Sequence, residues 1–140
     1  MSSARTEAML KTYRSAGLGG VVQEASPHRL IQLLLDGACG RLAVARGAMN
    51  ASDPAQKGRL IGEVIGILAA LRGRLDARNG GDIAVHLDAL YDYMIRKLLE
   101  ASARTDTRGI EEVELLLREI KAAWDSIPAG NNPPRLAAGV

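Results

Sequence analysis

Four successive stretches of the chain place apolar residues three and four positions apart, and each begins at a residue that can cap a helix. Ser26-Pro27 precedes the first stretch and Asp53-Pro54 the second, so an acceptor for free backbone N–H groups stands before a proline at the first helical position. Asp82 heads the third stretch, and Thr105-Asp106-Thr107 heads the fourth. This spacing is typical of amphipathic helices, so the sequence predicts four of them.

The Asn79-Gly80-Gly81 run lies between the second and third stretches and offers residues that tolerate positive φ. We expect the second helix to extend towards this run and to carry Leu75 on its core face, with a turn following. Pro128 is expected to end the fourth helix.

The apolar content is almost entirely aliphatic, because the 140 residues include no Phe, one Trp and three Tyr. A core of Leu, Ile, Val and Ala suits helix-on-helix packing better than a β-sandwich, whose strands favour β-branched and aromatic residues. Helices joined by short loops lie antiparallel to their sequence neighbours. The predicted fold class is therefore all-α, an antiparallel four-helix bundle with a mobile N-terminal arm that contains a short helix.

The chain divides into three predicted segments. Residues 1–25 carry few apolar anchors and are expected to form the mobile arm, residues 26–127 the bundle, and residues 128–140 a disordered tail. Tyr13 is the lone aromatic residue of the arm. It either anchors the arm or serves as a removable plug on an apolar groove.

Charge and cysteine usage exclude several classes of protein. The 18 basic and 16 acidic residues are mixed along the chain without a basic stripe that could neutralise phosphates, so we expect no nucleic-acid partner. No apolar run approaches the ~20 residues that span a bilayer, and the N-terminus lacks an apolar signal core. We therefore expect no membrane insertion and a cytoplasmic protein, which the single Cys39 also suits.

Residues that carry catalysis are scarce. His28 and His86 are far apart on different predicted helices, and His28, at the second position of its helix, is interpreted as a surface or capping residue. The chain has no phosphate-binding loop, no dinucleotide-binding glycine motif and no nucleophile elbow. We predict no catalytic residues, no metal site, no cofactor and no enzymatic activity.

Helices one to three carry more apolar residues than the roughly three positions in seven that a bundle helix needs. The surplus comprises Ile31, Leu33 and Leu35 in helix one, Ile61, Ile65 and Ile67 in helix two, and the pairs Leu90/Met94 and Tyr91/Ile95 in helix three. Two interpretations stay open. The surplus belongs either to an overfilled core or homodimer seam, or to a hydrophobic groove that receives a partner's amphipathic helix.

Gly58, Gly62 and Gly66 recur every four residues along one face of helix two, although each costs about 1 kcal/mol relative to Ala inside a helix. A ridge without side chains lets another backbone approach closely. That backbone belongs either to the bundle itself or to a bound partner. A third explanation is composition alone, since helix one carries glycines as well.

Several strings of residues follow one another in a set order between about residue 13 and residue 127. They are Tyr13 with residues 25–31 and 34–38, then residues 80–84 and 87–94, and finally residues 111–113 with 123–124. In this order and spacing they resemble the flagellar export chaperones of the FliS family. Each string alone is weakly specific, and the set together is specific.

The resemblance implies a cytoplasmic bundle that binds the disordered C-terminal segment of newly made flagellin. Such binding prevents premature polymerisation and supports export by the flagellar secretion system, and the N-terminal arm covers part of the binding surface until it is displaced. Flagellin is the expected partner, with other flagellar export components as further candidates. The candidate client-binding residues are Tyr13, Ile31, Leu34, Leu35, Ile61, Ile65, Leu87, Tyr91, Met94 and Ile95.

The alternative is a structural helical bundle that homodimerises through its exposed apolar face. Client binding predicts a monomer or a weak homodimer with an accessible apolar surface. Obligate dimerisation predicts a melting temperature that depends on protein concentration.

Overall fold

A computed structural model describes residues 26–128 of the chain, apart from the side chains of residues 77–79. In this range the chain forms the helices α1 (Pro27–Asn50), α2 (Pro54–Gly73), α3 (Ala77–Arg104) and α4 (Thr107–Asp125), without a strand. Each helix packs against its sequence neighbours, and α1 also packs against α4, which closes the bundle. The predicted all-α four-helix bundle is thereby confirmed. The predicted arm over residues 1–25 and the predicted tail beyond residue 128 lie outside the described residues.

Side chains cap the first turns of three helices at the positions that the sequence predicts. Ser26 Oγ and Asp53 Oδ1 each accept, at 3.2 Å, from the backbone N–H three residues further on. Ahead of α4, Asp106 Oδ1 accepts at 3.0 Å from the backbone N–H two residues further on. Each cap satisfies an N–H group that the helix itself leaves free, and a cap of this kind contributes about 1 kcal/mol.

The junction between α2 and α3 differs from the prediction. α2 already ends at Gly73, so Leu75 lies in the connection to α3 and not on the core face of α2. α3 begins with a helical turn at residues 77–80 and is kinked at Gly81 (φ 57°, ψ −138°). A left-handed φ of this kind favours glycine. Gly81 therefore redirects a helix here, whereas the sequence pattern had indicated that it follows the end of one.

α1 contributes more buried apolar residues than any other described helix, because α2 and α4 enclose it from two sides. All surplus apolar residues of α1 and two of those of α2 are buried: Ile31, Leu33, Leu35, Ile61 and Ile67. For these five residues the overfilled-core interpretation is correct. Ile65 of α2 and both Leu90 and Ile95 of α3 remain half-buried at the edge of the core.

α3 and α4 approach each other closely near their connection, where Gly109 faces Ala101. A Cβ atom on Gly109 would lie 2.8 Å from the Cβ of Ala101, which is shorter than the normal separation of packed carbon atoms. From α2, the Lys57 ammonium donates to the Ser102 carbonyl at 3.0 Å, so a positive charge lies at the C-terminal end of α3. The missing side chain at residue 109 therefore permits the observed α3–α4 crossing.

The ridge on α2 faces solvent at Gly58 and Gly62. Among the described residues, no neighbouring atom lies within 4 Å of the place where a Cβ would stand at either glycine. The interpretation in which the ridge lets the bundle's own backbone approach is therefore wrong for these two glycines. Both are exposed, so their lack of side chains leaves bare backbone on the outer face of the bundle.

Gly109→Ala should lower the free energy of unfolding by about 1–2 kcal/mol, because the added methyl group overpacks against Ala101 and forces α3 and α4 apart. Urea denaturation followed by circular dichroism measures the change. Gly40→Ala is the matched control, since it adds the same methyl group to an exposed helical position with no neighbouring atom within 4 Å. A Gly109→Ala variant as stable as the wild type would contradict the role of the close approach.

Gly62→Ala should raise the free energy of unfolding by about 0.5–1 kcal/mol, because alanine is the better helix former and nothing obstructs its methyl group. The same denaturation experiment checks this. A clear loss of stability would show that the Gly62 face packs against part of the protein after all.

Candidate functional site

Side chains from all four described helices surround an apolar cavity of about 120 Å³ at the end of the bundle where α1 begins and α4 ends. We call it the end cavity, and its lining residues are Ile31, Leu35, Leu71, Leu75, Leu87, Tyr91, Ile120, Ala123 and Trp124. Four of the ten predicted client-binding residues thus meet here, namely Ile31, Leu35, Leu87 and Tyr91. The strings that place them lie far apart in the sequence, and the antiparallel helices bring them together.

Trp124 closes one side of the end cavity and is held by two contacts with the start of α1. Its indole stacks on the His28 ring, with centroids 5.1 Å apart and an angle of 19° between the planes. Its Nε1–H donates to the His28 carbonyl at 3.0 Å. Both residues are buried. The interpretation of His28 as a surface or capping residue is therefore wrong, because the ring is packed under the C-terminal turn of α4.

Tyr91 is the only ionisable residue among the described residues that line the end cavity. Burial raises the pKa of Tyr91 to about 12, because the phenolate is poorly solvated among apolar neighbours. The hydroxyl therefore stays neutral throughout the physiological pH range. With the Trp124 N–H already bonded to His28, the end cavity favours an uncharged, apolar occupant.

An open groove runs along the outer side of the same end, between α2 and α3. We call it the α2–α3 groove; it has a volume of about 590 Å³ and is lined by Ala69, Arg72, Gly73, Leu75, Ala84, Val85, Asp88 and Ile95. Leu75 lines both this groove and the end cavity, so its side chain separates the two spaces. Ile95 is the predicted client-binding residue that the groove contains.

Arg72 spans the α2–α3 groove and joins its two walls. Its Nε lies 2.6 Å from Asp88 Oδ1, and its Nη1 lies 3.2 Å from Asp92 Oδ1. The hydrogen bond from Arg72 lowers the pKa of Asp88, so the stabilisation from this pair is lost as the pH falls through that lowered pKa. Half-exposed pairs contribute at most about 1 kcal/mol. Their main effect is to give the groove a polar edge of mixed charge.

α3 leaves three large apolar side chains exposed, namely Ile83, Val85 and Leu99. Val85 lines the α2–α3 groove, and 56% of its surface is exposed. Exposed apolar residues that adjoin a groove are typical of surfaces that bind a partner. None of the three was among the predicted client-binding residues.

Several predicted client-binding residues lie too deep to touch a partner in this conformation. Four of them are at most 2% exposed and form part of the core, namely Leu34, Leu35, Ile61 and Met94, and of these Leu35 also lines the end cavity. Ile65, Leu87 and Ile95 are half-buried at its edge. Tyr13 lies outside the described residues. Neither Ile120 nor Trp124 was among the predicted client-binding residues. Their spacing of four residues places both on one face of α4, and this spacing could have indicated them.

Two other kinds of site are not found within residues 26–128. No group of three or more His, Cys, Asp or Glu side chains in this range is arranged to hold a metal ion. None of its helices combines the length and the apolar content needed to cross a bilayer. The candidate site is therefore the end cavity together with the α2–α3 groove.

Comparison with known proteins gives matches along most of the chain. The family described as flagellar protein FliS matches residues 9–131. Flagellar secretion chaperone FliSB of Pseudomonas aeruginosa is 48% identical over 118 residues, which cover 84% of this chain and 94% of that protein. Flagellar secretion chaperone FliS of Salmonella typhimurium is 43% identical over 123 residues, covering 87% and 91%. The FliS chaperone of Vibrio cholerae is 37% identical over 119 residues, covering 85% and 88%.

Trp124→Phe should lower the free energy of unfolding by about 1–3 kcal/mol, because it removes a buried hydrogen-bond donor and enlarges the end cavity. Circular dichroism in urea measures this without relying on tryptophan fluorescence. Tyr93→Phe is the control, since it removes a hydroxyl that donates to the partly exposed Glu112 and should cost less than about 1 kcal/mol. Equal stability of the two variants would show that the indole does not hold α4 to α1.

Proposed function

Because the chain belongs to the flagellar protein FliS family, which it matches over residues 9–131, we propose that it binds the disordered C-terminal segment of flagellin in the cytoplasm. Binding prevents premature polymerisation and supports export by the flagellar secretion system. The relatives at 48% and 43% identity are flagellar secretion chaperones, which supports a role in flagellar export. That assignment also agrees with a binding protein and not an enzyme.

The observation that carries the proposal is the combination of an apolar cavity and an adjoining groove, which has apolar side chains and a charged edge, at one end of the bundle. A segment that folds as it binds must bury on the order of 1,000–3,000 Å² to offset its loss of conformational entropy. One small cavity does not supply such an area. The end cavity, the α2–α3 groove and the exposed side chains of α3 together offer an extended apolar surface.

The proposed contact residues are the predicted positions that a client can reach, together with two exposed residues of α3. Ile65, Leu87 and Ile95 lie at the edge of the core, and Val85 and Leu99 lie outside it. An amphipathic client helix would place its apolar side chains against them. Tyr13 remains the proposed plug of the N-terminal arm.

A homodimer that uses the same α3 surface is the second candidate, because exposed residues such as Val85 and Leu99 would fit a seam as well as a client. The two candidates differ in stoichiometry. A client chaperone is a monomer that forms a one-to-one complex. An obligate dimer covers its α3 surface and leaves no room for the client.

Val85→Asp should weaken binding of a flagellin C-terminal peptide at least tenfold, which corresponds to about 1.4 kcal/mol, because it places a charge against an apolar client. Titration calorimetry measures the affinity, and light scattering gives the stoichiometry. Val44→Asp is the matched control, since Val44 lies on α1 and is 50% exposed compared with 56% for Val85. No peptide binding, together with a stable dimer, would contradict the chaperone proposal and favour the second candidate.

A further inference from the structure

The end cavity is an apolar depression that opens to the surface. Its floor includes Leu35, Tyr91 and Trp124, which are at most 5% exposed, and its rim is formed by the half-buried Leu75, Leu87 and Ile120 and the exposed Ala123. The largest side chain of the lining is held in place. The Trp124 ring is fixed by its hydrogen bond to the His28 carbonyl and by its stacking on the His28 ring.

Water is a poor occupant of this space. A buried water molecule needs two to four polar partners. The lining offers mostly aliphatic side chains, and the Trp124 N–H is already bonded to His28. The Tyr91 hydroxyl is then the remaining polar side-chain group among the described lining residues, which is fewer than a water molecule needs. The end cavity therefore favours a compact apolar group.

The volume restricts what that group can be. An engineered apolar cavity of about 150 Å³ in another protein accommodates benzene. A space of about 120 Å³ fits an occupant slightly smaller than benzene, such as the side chain of leucine, isoleucine or methionine. The indole of tryptophan is too large.

The place of entry is marked by Ala123. Ala123 lines the end cavity but is itself exposed, so the space opens to the surface beside it. Ile120 on α4 and Leu87 on α3 are half-buried residues of the same lining. The accessible part of the lining therefore comprises Ala123 and Ile120 of α4, Leu87 of α3 and Leu75 of the α2–α3 connection.

We propose that the end cavity is an anchor site, which takes one leucine-, isoleucine- or methionine-sized side chain of the client through the opening at Ala123. The inference rests on the proposed function and adds the kind of residue that the client inserts. An apolar side chain has no hydrogen bonds to satisfy inside the cavity, and its burial removes apolar surface from water. Aspartate, lysine or tryptophan at the anchor position of the client would prevent insertion.

Ala123→Leu tests the proposal, because the larger side chain stands at the opening and fills the space from α4. It should weaken binding of the flagellin C-terminal peptide at least tenfold, and Ala123→Val should weaken it less. Ala122→Leu is the matched control, since residue 122 is also exposed on α4 but does not line the end cavity. The control should bind the peptide like the wild type.

Xenon provides a readout that a clash on the outer surface would not change. Xenon NMR should detect binding to the wild-type protein, no binding to Ala123→Leu, and displacement of xenon by the peptide. If the wild type binds the peptide while xenon stays bound, and Ala123→Leu binds the peptide equally well, the anchor site is refuted but the chaperone function stands. If the wild type does not bind the peptide at all, the proposed function fails and the anchor inference fails with it.

Discussion

The enclosure of α1 between α2 and α4 is the constraint on which the rest of the bundle depends. α1 packs more extensively against its two neighbours than any other described helix, and it buries residues on nearly every turn from Leu30 to Met49. α2 and α4 pack with narrower apolar stripes. α3 lies opposite α1 and packs less extensively against α2 and α4, and part of its apolar surface remains outside the core. The position of the candidate site on α3 follows from this arrangement.

The sequence predicts helix starts in this chain better than helix ends. Ser26, Asp53 and Asp106 act within one turn of their helices, and their capping role can be read from the adjacent residues. The end of α2 depends on packing. The Asn79-Gly80-Gly81 run permits a turn, but the chain leaves α2 at Gly73 and brings Leu75 between the end cavity and the α2–α3 groove. A local pattern does not contain that information.

The candidate site was predictable only in part, for a related reason. A wide apolar stripe shows that a helix has surplus surface to bury, but not whether its own bundle or a partner buries it. On α1 the bundle buries the surplus, since Leu35 has no exposed surface. On α3 part of the apolar surface stays exposed to solvent, as Val85 shows. The contribution of Trp124 depends on a hydrogen bond between residues that are 96 positions apart. Only the assembled helices reveal such a contact.

The end cavity lowers the stability of the unbound protein, and filling it would favour binding. The apolar lining of the end cavity lacks packing partners in the unbound protein, which costs stability. The Trp124–His28 contact keeps the walls apart and so maintains this cost in the unbound protein. An occupant that fills the space recovers the missing contacts without the side-chain rearrangement that a collapsed site would need. In the proposed complex, a preformed cavity would thus convert part of the unrealised packing energy of the bundle into affinity for an apolar client.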